Sequence, residues 1–321
     1  MAGVFVLGLA AGGWLYWKLN DNITSVDINN ALGDNRPAKP VTTPSAGATE
    51  PLPSEAMNIL VLGSDSRSGE ENQRLGGGNS TGARSDTAMV FHIDAVGRTA
   101  KVVSIPRDTL VTRPSCPLPD GGETEERYGV MFNTAYALGG PVCAVKTVES
   151  MTGVRMDHYL EIDFAGFAGL VDAVGGVTVT IDEDINDEKS HLQLDAGTHT
   201  LDGEQALGLA RTRYGLDGGS DLARIELQQQ LVKALLTQIS ATSLLTNPAE
   251  LYNVADAVTD SLTTDTGLDS LTELVGFGQS LRALSADATD TVTMPVVPAP
   301  SDPNRVVADE PEAGELWESL R

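Results

Sequence analysis

Positive charge is what this sequence has least of. Its 21 lysines and arginines face 45 aspartates and glutamates, for a formal net charge of −24. A chain this acidic repels a nucleic-acid backbone, and no basic stripe offsets the repulsion, so DNA and RNA are excluded as partners. Histidine and cysteine are scarce too. His92, His158, His191 and His199 are scattered without HExxH-like spacing, and two cysteines alone cannot complete a zinc site. In an exported chain, Cys116 and Cys143 read most simply as a disulfide closing the loop between them, with two buried thiols as the alternative. Aromatic residues make up only 5% of the chain, which points to nothing specific, and no internal repeat is visible. The 41% apolar content over 321 residues is ample for one large domain or two small ones.

The one long uncharged apolar run lies at the start, AGVFVLGLAAGGWLYW from Ala2 to Trp17, ending at Lys18 with Trp14, Tyr16 and Trp17 placed as an interfacial belt. It is slightly short for a span of about 20 residues and lacks preceding positive charge, which a start codon assigned too late would explain. Residues 1–19 are expected to form a transmembrane anchor, possibly truncated, that places the rest outside the cell membrane. A cleaved signal peptide and a buried helix are the alternatives. Residues 20–55 turn rich in Pro, Thr and Ser and read as a disordered tether. A catalytic domain is expected over 56–297, followed by an acidic tail over 298–321.

Within the domain, MNILVLG, AMVFHID and KVVSI are apolar strands. The short turn between the second and third implies an antiparallel pair. Later strands (DHYLEID, VTVTI) interleave with helical runs such as Phe164–Val174 and Leu222–Ile239. The expected fold is α/β, a three-layer α-β-α sandwich around a mixed central sheet.

Two groups of polar residues stand out. Asp65, Asp86 and Arg107 fall near strand termini, where ligand sites of open α/β sheets lie. Two carboxylates and an arginine suit Mg²⁺ and phosphate, though turn or capping roles would account for the aspartates equally. In LARTRYGLDGGSDLARIELQQQ, Arg211 and Arg213 flank a single Thr, so an extended segment would point both guanidinium groups to one side. Asp221, Arg224 and Gln228 share one helix face. Most such helix-face charges are solvated and weakly paired. Here cations are so few that three arginines converging with one carboxylate read better as an anion cradle.

The blocks NILVLGSDSR, ARSDTAMVFHID, VVSIPRDTLV, FNTAYALGGP, DHYLEIDFAGFAGLVDAVGGVTV, LDGEQALGLARTRY and DLARIELQQQ, in this order over about Met57–Lys233, resemble the LytR-CpsA-Psr family. The two cysteines and the PVVPAPSDPNRV ending are similar to actinobacterial members. The resemblance implies a membrane-anchored phosphotransferase that takes a glycopolymer from a polyprenyl-pyrophosphate carrier and attaches it to peptidoglycan through a phosphodiester. It further implies Mg²⁺, or Mn²⁺, on Asp65 and Asp86, and pyrophosphate contacts from Arg84, Arg107, Arg211, Arg213 and Arg224, with Asp221 and Gln228 completing the site. Asn133 belongs to the NAAYA-like block, where Met131 replaces a lysine common in the family. Arg107, Asp221 and Arg224 are the expected catalytic group, and the carrier's hydrocarbon tail needs an apolar channel sought near Phe164–Val174. A polyprenyl-pyrophosphate phosphatase and a non-catalytic lipid or glycan binding module are the competing readings.

Overall fold

The computed structural model describes residues 13–39, 56–65, 70–76, 85–95, 98–118, 121–213, 221–241, 248–281 and 284–321. Its centre is a seven-stranded mixed sheet. In chain order the strands are β1 (Thr24–Val26), β2 (Met57–Ser64), β3 (Ser85–Ile93), β4 (Ala100–Ser104), β7 (His158–Asp163), β12 (Leu262–Asp265) and β13 (Thr289–Thr293), and in space they run β1-β12-β7-β2-β3-β4-β13. As their short connection implies, β3 is antiparallel to β4; it is also antiparallel to β2, while β7 lies parallel to β2 and β13 parallel to β4.

The period-2 alternation of β2 sorts its side chains onto two faces. Leu60 and Leu62 point into the main core, with Val90, Val103 and the helix α4 (Asn133–Thr152). Ile59 and Val61 point the other way, toward Leu160, Phe277 and Leu281. Helices therefore cover both faces, as expected for an α/β sandwich. A second core gathers Val177, Val179 and Ile181 of β8 (Val177–Ile181), α6 (Gly203–Arg211) and α7 (Asp221–Ala241). It positions the two arginine-bearing segments.

The domain boundaries differ from the sequence expectation. Residues 20–39 are built into the fold: β1 pairs in parallel with β12, and Ile28, in the short helix Ile28–Leu32, is buried in the main core. Beyond the expected end at residue 297, β14 (Val296–Ala299) and β15 (Asp302–Ala308) form a hairpin, and the helix Glu312–Glu318 sends Trp317 into the same core beside Leu320. A three-residue strand carries no readable period, and a few apolar residues in an acidic tail suffice to dock it. The tether over 40–55 lies outside the described residues, as does most of the N-terminal apolar run. Residues 13–22 are helical, with Trp14, Tyr16 and Trp17 exposed. Among the described residues no helix is long and apolar enough to cross a membrane.

Two local features carry predictions. A Cβ on Gly203 would lie 2.1 Å from the Ala168 carbonyl oxygen, a backbone atom of the helix α5 (Phe164–Ala173), so α6 can start there only without a side chain. Gly203→Ala should cost about 2–3 kcal/mol by forcing the two helices apart, read as a lower urea midpoint. His92 hydrogen-bonds Asn58 Oδ1 through Nδ1 at 2.8 Å, and Asn58 Nδ2 donates to the Leu320 carbonyl at 3.2 Å. Burial, then the charge of Lys101, holds the His92 imidazole below its usual pKa against the pull of Asp94 and Asp157. The unfolded chain therefore takes the proton first, so this contribution is complete above about pH 6.5 and is lost as pH falls through the lower folded value. Urea titrations between about pH 7.5 and about pH 5.5 should show stability declining, with a shallower decline in His92→Gln.

Candidate active site

The parallel strands β2, β4 and β7 all end on one side of the sheet. Ser64 lies opposite Ser85 on one flank and Asp163 on the other, so Asp65, just past β2, and Asp86, at the start of β3, emerge together. The chain leaves β4 through Ile105 and Pro106 into Arg107. That turn is fixed by Thr109 N–H donating to the Pro106 carbonyl at 3.0 Å and Asn133 N–H donating to the Arg107 carbonyl at 3.2 Å. Asn133 thus holds the Arg107 backbone, while its own side chain is buried.

Four expected site residues meet here. Arg107 Nη1 donates to Asp86 Oδ1 at 2.5 Å, and its Nε lies 3.4 Å from Asp221 Oδ1 and 3.8 Å from Asp108 Oδ2. One turn along α7, Arg224 donates through Nη2 to Asp221 Oδ1, and the same nitrogen lies 3.5 Å from the Asp86 carbonyl. Arg224 is only 3% exposed. Burial pushes its pKa down to about 10; the Asp221 carboxylate opposes this, and the neighbouring cations Arg107 and Arg213 add to it. At neutral pH Arg224 stays charged, so guanidinium groups crowd at a cost that an anion would relieve. Arg107 is also penalised by burial, but Asp86, Asp221 and Asp108 outweigh that and raise its pKa. Arg107 Nε, Arg224 Nε, Asp221 Oδ2 and Asn133 Oδ1 are all buried without a hydrogen-bond partner. Orphaned donors and acceptors gathered this way mark a site for a polar ligand.

Beside them opens a cavity of about 360 Å³ with two kinds of wall. Asp86, Lys189, Arg211, Arg213, Arg224 and Gln228 line its polar part, and Val61, Phe91, Phe164, Phe167, Leu231 and Leu235 are among the apolar lining. Thr212 leaves α6 with extended backbone (φ −59°, ψ 133°), as the expectation for Arg211 and Arg213 required. Arg211 packs its guanidinium 4.8 Å from the Phe164 ring centroid and donates to the Leu75 carbonyl at 2.6 Å. Arg213 is fixed by its own N–H, which donates to the buried Asp187 at 2.9 Å, and Gln228 Nε2 donates to the Ala210 carbonyl at 2.9 Å. In α5, Phe164 and Phe167 face the cavity while Val171 joins the second core, so the helix serves both roles weighed for it.

Asp65 is half-buried next to α4: together with burial and Glu161, its charge raises the pKa of the Tyr136 phenol. Arg84 lies outside the described residues. Among the described residues no group of three or more His, Cys, Asp or Glu side chains could hold a metal. The chain joins Cys116 to Cys143 with Cα atoms 5.2 Å apart, tying the loop after β5 (Leu110–Arg113) to α4. Sequence reasoning missed Asp187, which ends the three-residue strand Ile185–Asp187, and Lys189 in the turn after it, a segment too short for a readable period. The scarcity of lysine was the only available hint.

The LytR_cpsA_psr family model matches residues 15–321, including both terminal segments assigned above to the fold. The cell wall biosynthesis protein LcpB of Corynebacterium glutamicum, described as probable, is 34% identical over 278 residues, 85% of this chain and 63% of LcpB. This chain therefore spans under two thirds of that relative's length. TagT of Bacillus subtilis, named a polyisoprenyl-teichoic acid–peptidoglycan teichoic acid transferase, is 30% identical over 292 residues, 89% of this chain and 81% of TagT. The structure of a LytR-Csp2A-Psr enzyme from Actinomyces oris superposes with a TM-score of 0.64 at 23% identity, covering 93% of this chain and 95% of that one. With the model match spanning nearly the whole chain, the protein belongs to the LytR-CpsA-Psr family.

Proposed function

We propose that this protein transfers a glycopolymer from a polyprenyl-pyrophosphate carrier to peptidoglycan through a phosphodiester bond. The observation that carries the reading is the two-walled cavity: an apolar compartment fit for a hydrocarbon tail that meets crowded arginines fit for a pyrophosphate. TagT is named for a transfer of this class.

In the proposed reaction the oxygen of an acceptor hydroxyl attacks the phosphorus bearing the glycan. A new P–O bond forms, the bond to the bridging oxygen breaks, and polyprenyl phosphate leaves while the hydroxyl proton passes to a base. Arg211 and Arg213 hold the pyrophosphate, and Arg107 and Arg224 neutralise charge growing on the phosphoryl and bridging oxygens. Asp86 lines the cavity, oriented by Arg107. Asp65, just past β2, and Asp86, at the start of β3, are the two carboxylates that would hold a hard cation. Two carboxylates plus substrate phosphate oxygens suffice for Mg²⁺, which would supply further charge neutralisation there. The exposed Trp14, Tyr16 and Trp17 support an N-terminal membrane anchor with the domain outside.

The test incubates the full chain in detergent with a polyprenyl-pyrophosphate-linked oligosaccharide and peptidoglycan fragments, with and without Mg²⁺, and follows the glycan by mass spectrometry. A phosphodiester adduct is the expected product. Free phosphorylated glycan would establish a phosphatase instead, and bound but unconsumed lipid would establish a binding module.

A further inference from the structure

A second recess, of about 610 Å³, starts at Leu110, just past the turn that carries Arg107. It lies along the ribbon of β5 and β6 (Arg127–Met131), against the start of α4 and the β14–β15 hairpin. Three arginines line it: Arg113, Arg127 and Arg305.

Their environment is unlike that of structural arginines. Arg113 and Arg127 are register partners on adjacent strands, a like-charge pairing that costs stability by itself. Arg113 is only 8% exposed, with its Nη2 donating to the Glu125 carbonyl at 2.7 Å and its Nε buried without a partner. Among the described residues no carboxylate forms an ion pair with either one. Of the nearby acids, Glu126 accepts from the Tyr128 hydroxyl, Glu123 from Ser115 at 2.8 Å, and Asp302, on the recess wall, from the Asn304 N–H at 2.9 Å. In a chain of net charge −24, two opposed arginines left without a carboxylate are a site kept for an external anion. Arg305, the third, connects the recess to the active site: its Nη1 lies 3.1 Å from Asp108 Oδ1, and Asp108 Oδ2 lies 3.8 Å from Arg107 Nε. Leu110, Met131 and Leu138 supply apolar surface between the charges, and Tyr128 stands 75% exposed on the ribbon. Apolar patches alternating with charge match a saccharide that carries carboxylates.

We propose that this recess is the acceptor subsite, where Arg113 and Arg127 hold a carboxylate of the peptidoglycan strand and bring its hydroxyl to the Arg107 side of the active site. This rests on the transfer reading above. Arg113 and Arg127 would be specificity residues for the acceptor and take no part in the bond change.

The test uses the full chain in detergent and three probes: a disaccharide-peptide fragment of peptidoglycan, the same fragment with its carboxyl groups amidated, and a glycerol-phosphate oligomer as a donor-polymer mimic. Titration calorimetry on wild type, Arg127→Gln and Arg113→Gln gives affinities, and the transfer assay gives separate KM values for acceptor and donor. Losing one charge-assisted contact should weaken the free-carboxylate fragment about tenfold in either variant, and amidation should do the same in wild type. Acceptor KM should rise about tenfold with donor KM within about twofold. Arg127 is exposed, so its variant reports on binding even if Arg113→Gln fails to fold. Equal binding of the fragment by wild type and Arg127→Gln, or indifference to amidation, overturns the subsite. Loss of the glycerol-phosphate oligomer alone overturns it in favour of the donor polymer. Arginine-dependent fragment binding in a protein that forms no adduct would remove the transfer reading and leave the subsite standing. Adduct formation with unchanged acceptor KM in Arg127→Gln would do the reverse.

Discussion

Arg107→Ala should lower the turnover of glycan transfer by about a hundred- to a thousandfold, with the lipid-linked donor still bound. Arg107 spans both carboxylates of the site, donating to Asp86 at 2.5 Å and lying 3.4 Å from Asp221. Its Nε is buried and without a hydrogen bond, poised for an oxygen whose charge grows during the reaction. Such a preorganised donor contributes about 3–4 kcal/mol when its charge meets the transition state and little to ground-state affinity. In the proposed reaction donor affinity is held elsewhere, by Arg211, Arg213 and the apolar part of the cavity. The effect should therefore fall on kcat rather than on donor KM. Arg107→Lys should recover little of it, because an ammonium cannot bridge two carboxylates and a phosphoryl oxygen as the planar fork does. Single-turnover mass spectrometry separates binding from chemistry. A loss confined to donor KM would make Arg107 a binding residue and move the transition-state role to Arg224.

What the sequence made legible follows from how far apart the cooperating residues lie in the chain. Arg211, Arg213, Asp221, Arg224 and Gln228 fall close together in the chain, at the end of α6 and along α7, so local patterning brought them to one place. The short turn between the second and third strands likewise exposed their antiparallel pairing and thus the common exit of Asp86 and Arg107. Pairings across long separations left no local trace. Arg36 meets Glu149 across 113 residues, and Asn58 meets Leu320 across 262. The like-charge pair Arg113–Arg127 depends on a register that shifts within the ribbon between Val111 and Arg113, which no count along the sequence reveals. Polar composition made residues 20–39 look like a tether because a strand of three residues is too short to alternate. Its place is decided by the edge of β12 that it completes.

Arg36→Ala is expected to destabilise the fold by about 3–5 kcal/mol, a Tm lower by roughly 10 °C, although Arg36 lies outside the domain boundaries the composition suggests. Its side chain is 2% exposed and that of Glu149 4%, so neither charge has water to fall back on. Arg36 Nε donates to both Glu149 oxygens, at 3.1 and 2.9 Å, and Nη2 donates to Oε1 at 2.5 Å and to the Met156 carbonyl at 2.8 Å. Removing the guanidinium strands a carboxylate in the interior and a carbonyl beside it, and leaving a charge uncompensated costs far more than the pair contributes in water. Glu149 also accepts from the Met156 N–H at 2.9 Å, so Glu149→Ala would orphan a second backbone group and should cost at least as much. Glu149→Gln keeps that acceptor and loses only the charge. The double variant Arg36→Met with Glu149→Gln, which buries no charge, should therefore recover much of what Arg36→Ala loses. Differential scanning calorimetry of these four variants would distinguish a structural N-terminal segment from a tether. A true tether predicts that Arg36→Ala shifts Tm by no more than about 1–2 °C, the ordinary effect of an exposed substitution. That result would detach residues 13–39, with the exposed Trp14, Tyr16 and Trp17, from the fold.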